Sequence, residues 1–419
     1  MGDAITPRSA LSTEPSESRI PPGMKFGIKT CWRALGADSR PWVRMPDDGP
    51  GSSILGTHMV GRMDTARFNG RVTGDMNQRS HIGSEFESRS DSRVDRRGFL
   101  GTAAAAATLG FTLPVPCRAA VRGLSSAVRI GVIADLHHDV MHDGIDRLDV
   151  FLKAMNRQRP QAIVQLGDFA YPQAKNREII DRFNRGHERS LHVIGNHDTD
   201  AGSTTRQCID MWGMPDRHYV ENINGVGLLV LDGNDEGSPV HQGGYPRYIG
   251  PKQAAWLKTQ LKIADGPIIV ACHQPLAGPW AIDNADEIQA ILETAADKVI
   301  LVINGHSHID HVLRVGQVTH LHINSASYQW VGGDHRHQSY SKEIHEAHPW
   351  ISCTCPYRDA LFATLSIDPE NHRIEVEGTS SHWVGKSPAD LGLDKNPELI
   401  HGEQIAPRIR DRRIIRVRD

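Results

Sequence analysis

From residue 128 onward, apolar and polar residues fall into blocks of two kinds. "VRIGVIAD" (128–135), "QAIVQLGD" (161–168) and "LHVIG" (191–195) carry short, near-continuous apolar runs. So do "VGLLVLDGND" (226–235), "PIIVACHQP" (267–275) and "KVILVINGHSH" (298–308). Such runs, bounded by Gly, Asp or Pro, predict buried strands. Between them "IDRLDVFLKAMNRQ" (145–158) has the spacing of an amphipathic helix, and further helical stretches are predicted around 175–188, 251–264 and 285–296. Pro251 stands where a first helical turn would begin. Later, "LFATLSI" and "RIEVEG" flank "DPENH", the pattern of a hairpin. Continuous apolar strands separated by helices predict sheets covered by helices, an α/β architecture. In such folds ligands gather beyond the carboxyl ends of the strands.

The first ninety residues break this pattern. They are rich in Ser, Gly, Arg and Asp and show neither helical nor strand periodicity. Residues 92–120, "SRVDRRGFLGTAAAAATLGFTLPVPCRAA", then place Arg96-Arg97 before Gly98-Phe99-Leu100, a run of small apolar residues and Ala119-Ala120. This segment resembles a twin-arginine export signal. Gly101, Gly110, Pro114 and Pro116 argue against an Ala-rich core helix, and the run is too short and interrupted for a transmembrane span. The resemblance implies export in folded form to the periplasm or another extracytoplasmic space, with no transmembrane segment in the mature protein. Translation starting later, at Met63 or Met76, would put the signal at the N-terminus; a long disordered leader is the alternative.

Composition is that of a globular protein, with 39% hydrophobic and 23% charged residues. From residue 121 the chain has 31 Lys and Arg against 38 Asp and Glu, a balance of −7, so nucleic acid is not an expected partner. The Arg-rich end (Arg408, Arg410, Arg412, Arg413, Arg416, Arg418) reads as a solvated tail. Cys208, Cys272, Cys353 and Cys355 could form disulfides in an oxidising compartment, although Cys272, inside an apolar strand, reads as a buried small residue. Histidine changes the picture most: 21 of 23 lie beyond residue 120, a concentration that suits a metal site.

Five predicted strands release polar side chains at their C-terminal ends. They are Asp135-Leu136-His137, Gly167-Asp168, Gly195-Asn196-His197-Asp198, His273, and Gly305-His306-Ser307-His308. Two divalent cations about 3.5–4 Å apart need several hard or borderline ligands, one of them a bridging carboxylate. Neutral imidazoles and an amide carbonyl complete the shells without excess negative charge. In Asp-x-His and His-x-His, residues i and i+2 of an extended segment would point the same way, and the glycines would let the chain bend sharply. Each motif alone is weak. Five in sequence, each after a strand, predict a dinuclear metal site.

The ordered set DLH, GD, GNHD, a lone His and GHSH resembles the calcineurin-like metallophosphoesterase superfamily over roughly residues 128–325. The resemblance implies a four-layered α/β/β/α sandwich of two mixed sheets, with the metal site at the C-terminal ends of the strands. It implies one metal on Asp135, His137, Asp168 and His308, and a second on Asp168, Asn196, His273 and His306, with Asp168 bridging. The two divalent or transition-metal ions (Mn, Fe or Zn) would activate water for in-line attack on phosphorus, and His197 would assist the leaving group as catalytic acid. "GDFAY" departs from this pattern toward purple acid phosphatases, which place a tyrosinate on ferric iron. Those enzymes lack the His of the first motif, so His137 is taken as the ligand and Tyr171 as a pocket residue. Asp198 is expected to orient a neighbouring His, and His138, in the following loop, could contact substrate.

The expected division is 1–90 disordered or upstream of the true start, 91–120 signal, 125–385 metallophosphoesterase domain and 386–419 C-terminal extension. The expected activity is hydrolysis of a small phosphorylated substrate, a phosphomonoester or phosphodiester. A nucleotide-type diphosphatase on the same site and a non-catalytic scaffold are the alternatives, and a nuclease is disfavoured by the acidic balance.

Overall fold

The computed structural model describes residues 121, 123–393, 399 and 405–414. The leading segment, the export-type sequence, Arg416 and Arg418 lie outside the described residues. In chain order come β1 (Val128–Ile133), α1 (Gly144–Gln158), β2 (Ala162–Gln165), α2 (Arg177–Gly186), β3 (Ser190–His192) and α3 (Thr205–Trp212). Next are β4 (Tyr219–Ile223), β5 (Val226–Val230), α4 (Pro251–Ile263), β6 (Ile268–Ala271), α5 (Ala285–Glu293) and β7 (Val299–Asn304). The chain continues through β8 (His311–Val315), β9 (Val318–His322), β10 (Tyr328–Trp330), α6 (Lys342–Ala347) and β11 (Thr354–Pro356). It ends with β12 (Ala363–Asp368), β13 (Arg373–Glu377) and β14 (Arg412–Ile414).

The strands form two six-stranded mixed sheets, ordered β14-β13-β12-β1-β2-β3 and β4-β5-β6-β7-β9-β8, with β10 and β11 as a separate ribbon. β1, β2 and β3 are parallel, as are β5, β6, β7 and β9, so their carboxyl ends share one direction within each sheet. Side-chain alternation along the second sheet explains the layering. Leu228, Val230, Ile269, Ala271, Leu301 and Ile303 join the large core shared with β1, β2, α1 and α2. Their neighbours Leu229, Val270 and Val302 point the other way, into a second core with Leu257 and Leu261 of α4 and Ile288 and Leu292 of α5. This is the predicted sandwich of two sheets with helices outside.

Two expectations change. The Arg-rich end is not simply a solvated tail: β14 pairs with β13, Arg412 is buried, and Arg410 and Arg412 both pair with Asp310. That carboxylate follows His308 by two residues, so the C-terminal strand braces the loop carrying the GHSH motif. Residues of the expected C-terminal extension thus complete the edge of the first sheet. The four cysteines of the described region are all buried free thiols, so none of the possible disulfides forms among them.

The core also holds histidines that belong to none of the five polar motifs. His192 Nδ1 lies 3.1 Å from the Gln165 amide nitrogen and its Nε2 lies 2.7 Å from Asn184 Oδ1, a pattern that a neutral ring satisfies. Burial holds His192 down at about 3 and His320 at about 4, against an ordinary 6.5. The unfolded chain therefore takes up these protons as pH falls through 6.5, while the folded chain does not until nearer 4. Stability is full above 6.5 and is lost on acidification. Thermal denaturation should show a midpoint that drops steadily from pH 6.5 to 4; a flat profile would contradict burial of the neutral rings.

Candidate metal centre

The five polar strand ends converge. Asp135 and His137 follow β1, Asp168 follows β2, Asn196 and His197 follow β3, His273 follows β6, and His306 and His308 follow β7. They form two groups of potential ligand atoms, Asp135, His137 and His308 in one and Asp168, His273 and His306 in the other, each within 4.8 Å of one another. Asp168 lies between the groups: its Oδ2 is 3.2 Å from His273 Nε2 and 3.6 Å from His137 Nε2. Asn196 Oδ1 is 3.1 Å from His273 Nε2, which places the amide oxygen with the second group.

Gly167, at φ 95°, makes the bend expected of it, but the ligands depart from the extended geometry that the spacing suggests. Asp135, His137, Asp168, His306 and His308 all have positive φ, between 48° and 65°. Such conformations cost roughly 1–3 kcal/mol each for residues other than glycine and persist only where the surroundings impose them. Gly195, expected to make a bend, is not in that region. Its role is close approach, because a Cβ there would lie 2.2 Å from Asp168 Oδ1. Gly305 is needed for the same reason, since its Cβ would lie 2.5 Å from Asp135 Oδ2. The glycines make room for the carboxylates, and the ligands themselves carry the strain.

The donor set suits cations. His273 Nδ1 is 2.7 Å from the Leu166 carbonyl and His308 Nδ1 is 2.8 Å from that of Tyr328. Each Nδ1 must therefore be the protonated nitrogen, which leaves Nε2 as a lone pair facing the cluster. His308 Nε2 then meets His137 Nε2 at 3.2 Å and Asp135 Oδ1 at 3.3 Å. His273 Nε2 meets a carboxylate oxygen, an amide oxygen and, at 3.3 Å, His306 Nδ1. Lone pairs aimed at lone pairs in a buried site call for positive charge between them. The titration directions agree. Burial lowers His137 and His306; it also works to lower His273, but there Asp168, Asp135 and the Leu166 carbonyl together lift the ring to about 9. The residues fit two metal ions.

His197 stands beside the ligands, with its ring centroid 5.5 Å from that of His137. Its Nδ1 is 2.7 Å from Asp200 Oδ2, and Tyr245 caps the pair with its hydroxyl 2.6 Å from Asp200 Oδ1. Burial lowers His197, but Asp168 and Asp200 together raise it above its ordinary value. The carboxylate that orients a histidine is thus Asp200. Asp198 does not serve as expected: its two oxygens accept the backbone N–H groups of Gly195 at 2.7 Å and of Asp168 and Phe169 at 2.8 Å. It ties the loop after β3 to the loop after β2. Burial and the charge of Asp168 push Asp198 up to about 8, while its backbone donors work in the opposite direction.

Tyr171 lines the cavity over the cluster, and burial followed by Asp200 and Asp139 raises its phenol, away from tyrosinate. His138 is a correction. Its ring packs against Gly144 at the start of α1 and is not among the residues lining the cavity. Residues missed in the sequence include Asp200, Tyr245, Trp280, Tyr328, Trp330 and Trp350, all on the cavity wall. Asp200 was within reach of sequence reasoning, since it follows His197 by three residues. The aromatics sit in loops and short strands without periodicity.

Together the fold and the donor set define a candidate site for two metal ions on an α/β sandwich. Residues 128–310 match the model of the calcineurin-like phosphoesterase family. No curated protein matches the chain. Among solved structures, a dimetal phosphatase from Danio rerio is similar at 16% identity and a TM-score of 0.44, covering 62% of this chain and 100% of its own. GAP50, an anchor in the inner membrane complex of Plasmodium, is similar at 17% and 0.42, covering 69% and 91%. A protein from Thermus thermophilus is similar at 15% and 0.38, covering 60% and 99%.

Replacing Asp198 by Ala leaves three buried N–H groups without their acceptor, at roughly 1–3 kcal/mol each. The Asp198→Ala variant should melt lower and bind metal at least tenfold more weakly in a competition titration with a chelator. Unchanged metal affinity would show that the bracing of the two loops is dispensable.

Proposed function

We propose that the chain is a dinuclear metal-dependent phosphoester hydrolase. The observation that carries this reading is the convergence of Asp135, His137 and His308 with Asp168, His273 and His306 around a shared carboxylate, beside a histidine held by its own acid. Asp135, His137, Asp168 and His308 would hold one ion, and Asp168, Asn196, His273 and His306 the other. When bound, the ions would supply Lewis-acid stabilisation of the phosphoryl oxygens and activate water.

The protein's own groups do the rest. Asp200 fixes the His197 ring through Nδ1 and favours its protonated form, so Nε2 is the nitrogen that serves the departing oxygen. The Leu166 and Tyr328 carbonyls fix the tautomers of His273 and His308. A non-catalytic scaffold would have no use for the Asp200–His197–Tyr245 arrangement, which disfavours that alternative. Monoester or diester preference, and an exported location drawn from the twin-arginine resemblance, belong to the same proposal.

Metal analysis of the purified protein, combined with a panel of aryl phosphate monoesters and diesters, tests the reading. His197→Ala should keep metal content near that of the parent and lose roughly 10²-fold in kcat. Asp168→Ala should instead lose metal. Normal turnover by the His197 variant would overturn the assignment of the leaving-group acid.

A further inference from the structure

The cavity above the cluster encloses about 500 Å³, and its chemistry is lopsided. Tyr171, Tyr245, Trp280, Tyr328, Trp330 and Trp350 line it. Asp139, Asp168, Asp198 and Asp200 are its ionisable acids, and among the described residues no Lys or Arg lines it. Two cations lie against its aromatic residues. Lys175 sits 5.3 Å from the Tyr171 ring centre and pairs with Asp139, and the Arg336 guanidinium lies 5.9 Å from the ring centre of Trp350.

The aromatic surface starts at the reacting centre and runs outward. Tyr328 stacks on His137 with centroids 4.9 Å apart and also touches the ring of His308 at 5.1 Å. Trp330, two residues along β10 and therefore on the same face, lies 6.4 Å from Tyr328. Trp350 comes from the turn of 3-10 helix that leads into β11 and remains 37% exposed. Trp280 lies on another loop with φ 57°, a conformation that bulky residues rarely adopt. Aromatic side chains lining a cavity favour planar rings by stacked and edge-to-face contacts. Away from the metal ligands and His197, no lining Lys or Arg among the described residues offers a charged ring a partner, so a charge placed against this wall would go unpaired.

Resting on the phosphoesterase reading, we infer that the substrate's leaving group carries an uncharged planar ring, held by the aromatic wall of the β10–β11 ribbon. In the reaction the P–O bond to the ring-bearing group breaks, the oxygen of water forms the new P–O bond, and the departing oxygen takes a proton from His197. Substrates with a second phosphate beyond the scissile one find no Lys or Arg among the described residues of this wall and bind less well, which separates the proposed substrate from that of a diphosphatase.

The test is direct binding, so that leaving-group chemistry does not enter. Metal-loaded protein is titrated with methylphosphonate, phenylphosphonate and 4-carboxyphenylphosphonate, with tryptophan fluorescence or calorimetry as the readout. Phenylphosphonate should bind at least tenfold more tightly than methylphosphonate, and the carboxylated ring should lose most of that gain. In Trp350→Ala, and more fully in Trp330→Ala/Trp350→Ala, the phenyl-to-methyl ratio should fall below threefold. Equal binding of phenyl and methyl ligands, or a ratio that survives both substitutions, would overturn the inference and leave the phosphoesterase reading standing. Failure of all three phosphonates to bind would overturn both.

Discussion

Asp168 is the group on which the site depends. Its carboxylate lies between two clusters of imidazole nitrogens, accepts the His197 backbone N–H at 2.8 Å, and is fully buried. Burial alone would raise its pKa, but His273 and His197 hold it well below the ordinary carboxylate range. An ionised, buried carboxylate ringed by lone pairs is stable only with positive charge beside it. Without metal, a proton on His273 is the available substitute, and its raised pKa shows that demand.

The fold meets this constraint by delivering each group from a different strand. Parallel β1, β2 and β3 in one sheet, and β6 and β7 in the other, end at a common edge where five loops meet. Positive φ at five of the ligands turns their side chains into that space, and the strain is held by contacts from outside the cluster. Asp198 clamps two of the loops through backbone N–H groups, and the C-terminal strand clamps a third through Asp310. Much of the protein's polar chemistry therefore holds the metal ligands rather than touching substrate.

Much of this was legible in the sequence. Apolar runs at 128–135, 161–168, 267–275 and 298–308 predict strands, and the polar residues that end them are the members of both clusters. Harder to read were features whose cause is tertiary. The left-handed ligands carry no glycine signature, because their conformation is imposed by packing. Gly195 looked like a bend but is a gap for Asp168 Oδ1. Asp198 looked like a histidine partner because aspartates often are, whereas three N–H groups from folded loops claim it. Arg410 and Arg412 looked solvated because their partner, Asp310, lies a hundred residues away. The β10–β11 ribbon and its tryptophans are too short and irregular for periodicity to mark.

On the proposed reading, substrate selection falls to the part of the chain that sequence patterns describe least. The strand ends establish what chemistry is available, and the ribbon at 328–356 with the loop at Trp280 shapes the space above it. Anomalous diffraction from crystals of the metal-loaded protein tests the central claim most directly. Two metal peaks about 3.5–4 Å apart, with Asp168 between them and His273 and His308 bound through Nε2, are the expected result. A single peak, or two that do not share Asp168, would contradict it.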